Sequence, residues 1–236
     1  VLDRPIARED ITQIGEQEVL AYLASEHSQY HQYREELNLS IVAHLGSYEN
    51  GESLGEIGLV QPQSSVTPST LEKTTEKLPN LRTGTARIDR KSPNTVLVEA
   101  TARYKPDDED AYETDQWGYT ETEPLPALRI TDLAKIEVEL IEAFVPVAVD
   151  EADGFAGFRE TATITNSLVD RLRELTLPDV DNVRDGLESY IETKERADEL
   201  EEKIERTDDL IDEIVYDLYG LTDEEIEIVE EAVGDN

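Results

Sequence analysis

Four residues spell the pattern of a metal-dependent nuclease: Pro178 and Asp179, then Glu192 and Lys194. That chemistry needs its carboxylates and lysine on neighbouring strands, converging on one divalent cation. Glu192 and Lys194 instead fall inside the strongest helical pattern of the chain, about 200° apart around its axis. A sequence this acidic spells such a match by chance, and no nuclease centre is expected. His27 and His31 stand four apart, on successive helical turns, as metal-binding histidines do; with no third ligand nearby they read as a polar helix face. Phe155-Ala-Gly-Phe158 has too few glycines for a cofactor loop and follows no strand of parallel-sheet character, so it reads as a turn. The three histidines lie near the N-terminus and single out no serine–histidine–acid set. No catalytic, cofactor-binding or metal-ligating residue is therefore expected in this chain.

A different chemistry is available between Gln61 and Lys105. Eight basic residues stand there (Lys73, Lys77, Arg82, Arg87, Arg90, Lys91, Arg103, Lys105) against four acidic ones (Glu72, Glu76, Asp89, Glu99). The rest of the chain is net negative by 39. Neutralising phosphate is what such a window can do. Arg87, Arg103 and Lys105 lead as DNA contacts, with Arg82, Arg90 and Lys91 near the ends of the same element.

That element is a β-hairpin. Gly84, Ala86 and Ile88, then Val96, Val98, Ala100, Ala102 and Tyr104, occupy even positions, and the odd positions are mostly polar. Period two on both sides of Ser92-Pro93-Asn94 marks two strands with one buried face. Pairing Ile88 with Val98 and Ala86 with Ala100 sets Arg87 opposite Glu99, a favourable cross-strand charge pair. A slip by one residue would bury charge, which fixes the register.

Around the hairpin the chain is mostly helical. Residues 1–36 carry an imperfect stripe of Ile11, Ile14, Val19, Leu20 and Leu23, weakened by Gly15, and apolar character continues from Asn38 to Leu45. Gly46, Asn50 and Gly51 mark a turn, and Gln61–Ser69 is a charge-free linker. Pro106–Pro126 is an acidic, irregular loop whose Tyr112, Trp117 and Tyr119 either stack on an unpaired base or pin the loop to its own domain. The pinning role is the one expected. Asp132 is placed to cap a helix bearing Leu133, Ile136, Leu140, Ile141 and Phe144, which Pro146 should break. A further helix is expected over Thr163–Leu175, with Leu168, Val169, Leu172 and Leu175 inward.

After Pro178 comes a long acidic helix. Its seam of Ala197, Leu200, Ile204, Thr207, Ile211, Ile214 and Leu218 steps by three and four and calls for a partner helix. Leu187 and Tyr190 extend it upstream, with Lys194 interrupting. Gly220 stops the helix, and Thr222 with Glu225 forms a capping box that starts a short return helix. The fold class expected is α+β: mostly helical with a small antiparallel β element, ending in a long coiled-coil-like helix and a short return helix. Three segments are expected, 1–60, 61–178 and 179–236.

Charge bounds the setting. With 56 acidic residues against 21 basic, the net charge is −35, and 14 of the 21 are arginine. Hydrophobic residues at 38% and sustained periodicity exclude wholesale disorder. Adaptation to molar salt accounts for the excess carboxylate, because screening then shortens to about 3 Å. Melting temperature is accordingly expected to rise from about 0.1 M toward molar KCl, as self-repulsion is screened; a flat or falling series in thermal melts would sink the halophilic reading. No cysteine is present, which fits a reducing cytoplasm, and the apolar run Phe144–Val149 is too short to span a bilayer, so no membrane partner is expected. The chain opens on Val1 and contains no methionine, as a fragment or processed product would.

The tail IDEIVYDLYGLTDEEIEIVEEAV closely resembles the C-terminal tail of large adenine-specific DNA methyltransferases, the type IIG restriction–modification enzymes and BREX-type phage-defence methylases. LNLSIVAHLGSYENG, YETDQWGYTETEPLPALRITDL and GFAGFRETATITNSLVDRL resemble the haloarchaeal branch of that group, so that the resemblance covers most of the chain from Leu37. The group's catalytic Asn/Asp-Pro-Pro-aromatic tetrapeptide has no counterpart, since no Pro-Pro pair occurs, and the glycine-rich S-adenosylmethionine loop is missing. The resemblance implies a non-catalytic C-terminal part, associated with target recognition or acting as a spacer. It implies S-adenosylmethionine for the parent enzyme and none for this chain, DNA reached through that parent, and an N-terminal methyltransferase domain as partner. An acidic DNA mimic and a coiled-coil protein-interaction module are the alternatives.

Overall fold

The computed structural model describes residues 15–62, 69–78, 80–108, 111–150 and 168–234. In chain order come helices α1 (Glu16–Glu36) and α2 (Ile41–Leu45), strands β1 (Asn50–Ser53) and β2 (Leu59–Gln61), helix α3 (Thr70–Thr75), and strands β3 (Arg82–Ser92) and β4 (Thr95–Tyr104). Strands β5 (Thr120–Glu121) and β6 (Leu125–Thr131) follow, then α4 (Lys135–Asp150), α5 (Leu168–Glu174), β7 (Thr176–Pro178), α6 (Val180–Tyr219) and α7 (Asp223–Gly234). The class is α+β, with a long C-terminal helix and a short one after it. The chain divides into two units: Ser40–Tyr190, and Val1–Leu39 together with Ile191–Asn236. Breaks expected after residues 60 and 178 fall inside the first of these. There β2 and the hairpin share one sheet, and β1 pairs with β7.

Within Ser40–Tyr190 the sheet runs β2-β6-β4-β3, all antiparallel, with β5 also on β4. The hairpin register is the one its pattern dictates: Ala86 faces Ala100, Arg87 faces Glu99 and Ile88 faces Val98. The alternation slips once. Gly84 and Thr85 together oppose Thr101 in a bulge, so that Thr83 pairs with Ala102 and is buried. Gly84 is required there, since a Cβ would lie 2.0 Å from Thr101 Oγ1. That hydroxyl accepts from the Thr85 N–H at 2.8 Å and donates to Glu121 at 2.9 Å.

Strand β6 lies where an irregular stretch gives way to an unassigned one, and it is central to the sheet. Ala127, Leu128 and Ile130 are buried on it. Pro126 is tolerated because it sits at a register shift, opposite Glu99, where a missing N–H breaks no regular ladder. Asp132 does not cap a helix; it takes a positive φ of 61° in the turn after β6. Helix α4 begins at Lys135, and Glu137 reaches back to accept from the Ala134 N–H at 2.7 Å. Pro146 does not end α4 either. The helix continues to Asp150 because Val145, Ala148 and Val149 go on burying the face begun by Val138, Leu140, Ile141 and Phe144. One lost N–H bond at Pro146 is outweighed by that burial.

Helix α4 packs on β3, and α3 on β4 and β6. Ser69 and Glu72 form a capping box that starts α3, at the end of the expected linker. The Phe155–Phe158 turn and the start of the helix expected over Thr163–Leu175 lie outside the described residues; Leu168, Val169, Leu172 and Leu175 are buried as expected.

In the other unit α1 starts directly after Gly15, which therefore precedes the helix instead of weakening its interior. The apolar stretch from Asn38 restarts as α2, which belongs to Ser40–Tyr190, with the Ser40 hydroxyl accepting from the Ala43 N–H. The α6 seam is buried at Ala197, Leu200, Ile204, Thr207 and Ile214, whereas Leu218 is exposed. Helix α1 supplies a facing surface. Val19 and Leu23 cluster with Ile214, His27 meets Asp208, and Arg34 meets Glu201. As α1 numbers rise, their α6 partners fall, so the two helices run antiparallel. Tyr30 sits on this surface with its hydroxyl donating to Glu26 at 2.9 Å; burial and that carboxylate push its pKa up to about 12. Gly220, at φ 63°, ends α6 with the N–H of Leu221 on the Tyr216 carbonyl and its own on Asp217. The Thr222 cap is one-sided. Glu225 accepts from both the Thr222 N–H and its hydroxyl, so the hydroxyl is turned to the carboxylate and not to a helix N–H.

Candidate nucleic-acid interface

The six candidate cations separate into two groups. Arg87, Arg90 and Lys91 lie toward the Ser92 turn, and each is held by a carboxylate. Arg87 donates to Glu99 at 2.8 Å, the pairing its register dictates; Arg87 is 67% exposed and Glu99 only 12%. Arg90 forks onto Glu142 of α4, with Nε at 2.7 Å from Oε1 and Nη2 on Oε2. This bidentate bond raises the Arg90 pKa and ties the strand to the helix packed on it. Lys91 bonds Asp89 on its own strand.

The other group gathers at the opposite end of the hairpin. Arg82 and Arg103 are directly opposed across β3 and β4, a pairing of like charges that is unfavourable by itself. Tyr119 relieves it. Its ring carries the Arg82 guanidinium at 4.8 Å, the Arg103 guanidinium at 5.4 Å and the Lys105 ammonium at 5.1 Å from the centroid. Arg103 is further held by Asp115 and, at 3.3 Å, by Glu121, its cross-strand neighbour on β5. Among the described residues no carboxylate lies within ion-pair distance of Arg82 or Lys105. Three cations thus converge on one buried aromatic ring, and two of them keep their charge uncompensated by direct pairing.

The loop that supplies this ring is a closed turn. One carboxylate oxygen of Asp115 accepts the N–H groups of Trp117 and Tyr119, both at 2.9 Å, and its other oxygen takes Arg103. The Asp115 N–H donates to the Tyr119 carbonyl at 2.8 Å, and Gly118 makes the corner at φ 76°. Those backbone donors, with Arg103, hold the Asp115 pKa below the usual carboxylate value. The three loop aromatics accordingly part company. Tyr119, 8% exposed, pins the loop as expected; Trp117, 63% exposed, and Tyr112, 52% exposed, do not. Tyr112 leans edge-on against Tyr104, the last residue of β4.

The remaining chemical motifs are dispersed or locally satisfied. Asp179 caps α6 through the Asn182 N–H at 3.0 Å, and Glu192 and Lys194 follow it along the same helix, the nearer about 20 Å away at 1.5 Å per residue. Those three groups cannot share a cation. His27 bonds Asp208 at 2.8 Å and lies 3.2 Å from His31. Among the described residues no group of three or more histidine, cysteine or acidic side chains is arranged to hold a metal ion. No described helix is long and apolar enough to cross a membrane. Two arginines of α5 carry no signal in the sequence yet turn inward: Arg171 is buried, which lowers its pKa, and Arg173 Nε and Nη2 are buried without a hydrogen-bond partner among the described residues. Comparison with protein-family models, curated proteins and solved structures yields no match.

Proposed function

We propose that this chain is a non-catalytic C-terminal part of an adenine-specific DNA N6-methyltransferase, in a restriction–modification or phage-defence system, and that its Arg82–Lys105 patch approaches the DNA backbone. The convergence of Arg82, Arg103 and Lys105 on Tyr119 carries this reading, because it concentrates cationic charge in a protein of net charge −35. The resemblance of the tail and of three upstream segments to such enzymes supports it independently. Chemistry on a flipped adenine belongs elsewhere in the parent protein. The residues here do not fit S-adenosylmethionine, since neither the Pro-Pro tetrapeptide nor a glycine-rich loop is present. The patch positions DNA and does not read its sequence: cations on phosphate set register and orientation.

Long-range repulsion from the acidic remainder opposes the contact in dilute buffer. It is favoured once another part of the parent enzyme holds DNA nearby and raises the effective concentration. The test is adenine methylation by the protein encoded at the native locus, compared with its Arg82→Ala/Lys105→Ala variant. Arg103 is spared because its bonds to Asp115 and Glu121 shape the site. Methylation of every target sequence should weaken alike, and the salt dependence of DNA affinity should shallow by about one to two phosphate contacts. Unchanged affinity across salt concentrations refutes the contact. Absence of any adenine methylation from the encoded protein refutes the membership.

A further inference from the structure

We propose that Trp117 is a stacking platform for an unpaired nucleobase, with Arg82 and Lys105 serving the phosphates beside it. The proposal deepens the nucleic-acid reading above and rests on it for the class of ligand. Burying the larger indole would pin the loop with more apolar area than a tyrosine supplies. This loop does the reverse: Tyr119 is the pin, and the larger indole is held out in solvent by its backbone. The hold is firm. Asp115 accepts the N–H of Trp117 itself and that of Tyr119, the Asp115–Tyr119 backbone bond closes the turn, and Arg103 anchors the same carboxylate. An exposed ring on a preorganised turn loses little freedom when a ligand covers it.

The surroundings select the ligand. Two residues from Trp117 lies the ring that gathers Arg82, Arg103 and Lys105, and among the described residues only Arg103 is held there by carboxylates. A planar platform beside uncompensated cations matches the alternation of base and phosphate in a single strand, and any base offers a π-face. Besides the Asp115 and Glu121 that hold Arg103, the sequence of the same loop carries Asp107, Asp108, Glu109, Asp110, Glu113 and Glu123, which repel phosphate. Stacking, not charge, must therefore lead, and binding here should tolerate salt that would strip an ordinary phosphate contact.

Trp117 is the only tryptophan in the chain, so its emission reports this site alone. The experiment titrates the whole chain with a thymidine pentanucleotide, and with an abasic pentamer of equal charge, in about 1 M KCl, where screening falls to ~3 Å. Saturable quenching of at least about twofold by the base-bearing oligomer, and none by the abasic one, is expected of stacking. Anisotropy of an end-labelled pentanucleotide should show Trp117→Ala weakening binding about tenfold, within the usual range for loss of one stacked base. Equal quenching by both oligomers overturns the proposal, as does no quenching up to about 10 mM, ten times a millimolar Kd. So does binding that Trp117→Ala leaves intact. Any of these leaves the methyltransferase reading untouched, because methylation by the encoded protein decides that separately.

Discussion

Phe144→Ala should destabilise the Ser40–Tyr190 unit by roughly 3–5 kcal/mol, the range for an aromatic lost from a closed core. Phe144 is the largest side chain among those almost wholly buried, on the face of α4 that Leu140, Ile141 and Val145 share. The Tyr48 ring meets it edge-on, with centroids 6.1 Å apart, and burial raises the Tyr48 pKa. Removing the ring deletes both the transferred area and that aromatic contact, and the sheet beneath cannot collapse into the void. Each kilocalorie lowers the melting temperature by about 2–4 °C in a protein of this size, so a shift near 10 °C is expected. Far-ultraviolet circular dichroism through a denaturant titration makes the measurement. A loss below about 1 kcal/mol would mean that the α4 face is not the core of this unit.

Gly186→Ala is the second, and its sign is the informative part. In the middle of a helix this exchange normally stabilises by about 1 kcal/mol, through reduced backbone freedom. Here a Cβ would stand 2.4 Å from the His44 carbonyl oxygen and 3.2 Å from the Leu45 Cα. Both are backbone atoms of α2, whose Ile41 and Leu45 are buried, so the short helix cannot swing aside cheaply. Overpacking of this kind costs about 1–3 kcal/mol, which outweighs the propensity gain for all but the smallest displacements. Stability should fall on Gly186→Ala and fall further on Gly186→Val, measured by chemical denaturation. Exposed Asp185→Ala, one position earlier, should stay within about 0.5 kcal/mol of the parent. A stabilised Gly186→Ala protein would show that α2 does not press on α6.

What sequence makes legible is what repeats locally. Strands β3 and β4 each exceed eight residues with period two, and their register follows from the cost of burying Arg87, Asp89 or Glu99. The α6 seam is equally plain, because three-and-four spacing persists from Ala197 to Ile214. Strand β6 is not legible: seven residues holding Pro126 and Arg129 have no clean alternation, and a partner on each side is what buries them. Strands β1 and β7, with four and three residues, carry no period at all, and only their pairing defines them. Pro146 and Asp132 both depart from local preference: burial of the α4 face carries the helix past Pro146, and Asp132 is taken up in the positive-φ turn that follows β6.

The candidate site divides the same way. Arg87 and Glu99 could be paired from register alone. The acids that hold Arg90 and Arg103 stand 52 and 12 residues away, so which cations remain uncompensated had to come from the tertiary arrangement. Aromatic content of the loop was visible, but which ring turns in depends on the Asp115 turn.

The division of the chain has a consequence for its synthesis. Helix α1 ends at Glu36, and its seam partners on α6 begin near Ala197, so the whole Ser40–Tyr190 unit is made between them. At a translation rate of about 5–20 residues per second, α1 waits some 10–30 s for that surface to emerge. The inserted unit can mature first, sealed by β1 on β7 and by the Glu49 carbonyl on the Asp179 N–H, which bring its two ends together. Once sealed it behaves as a short tether and not as a loose loop of some 150 residues, which removes part of the entropic cost of joining α1 to α6. A half-made hairpin must survive that interval, and α1 is suited to it: beyond Leu23 its facing positions are Glu26, His27, Tyr30 and Arg34, which water accepts.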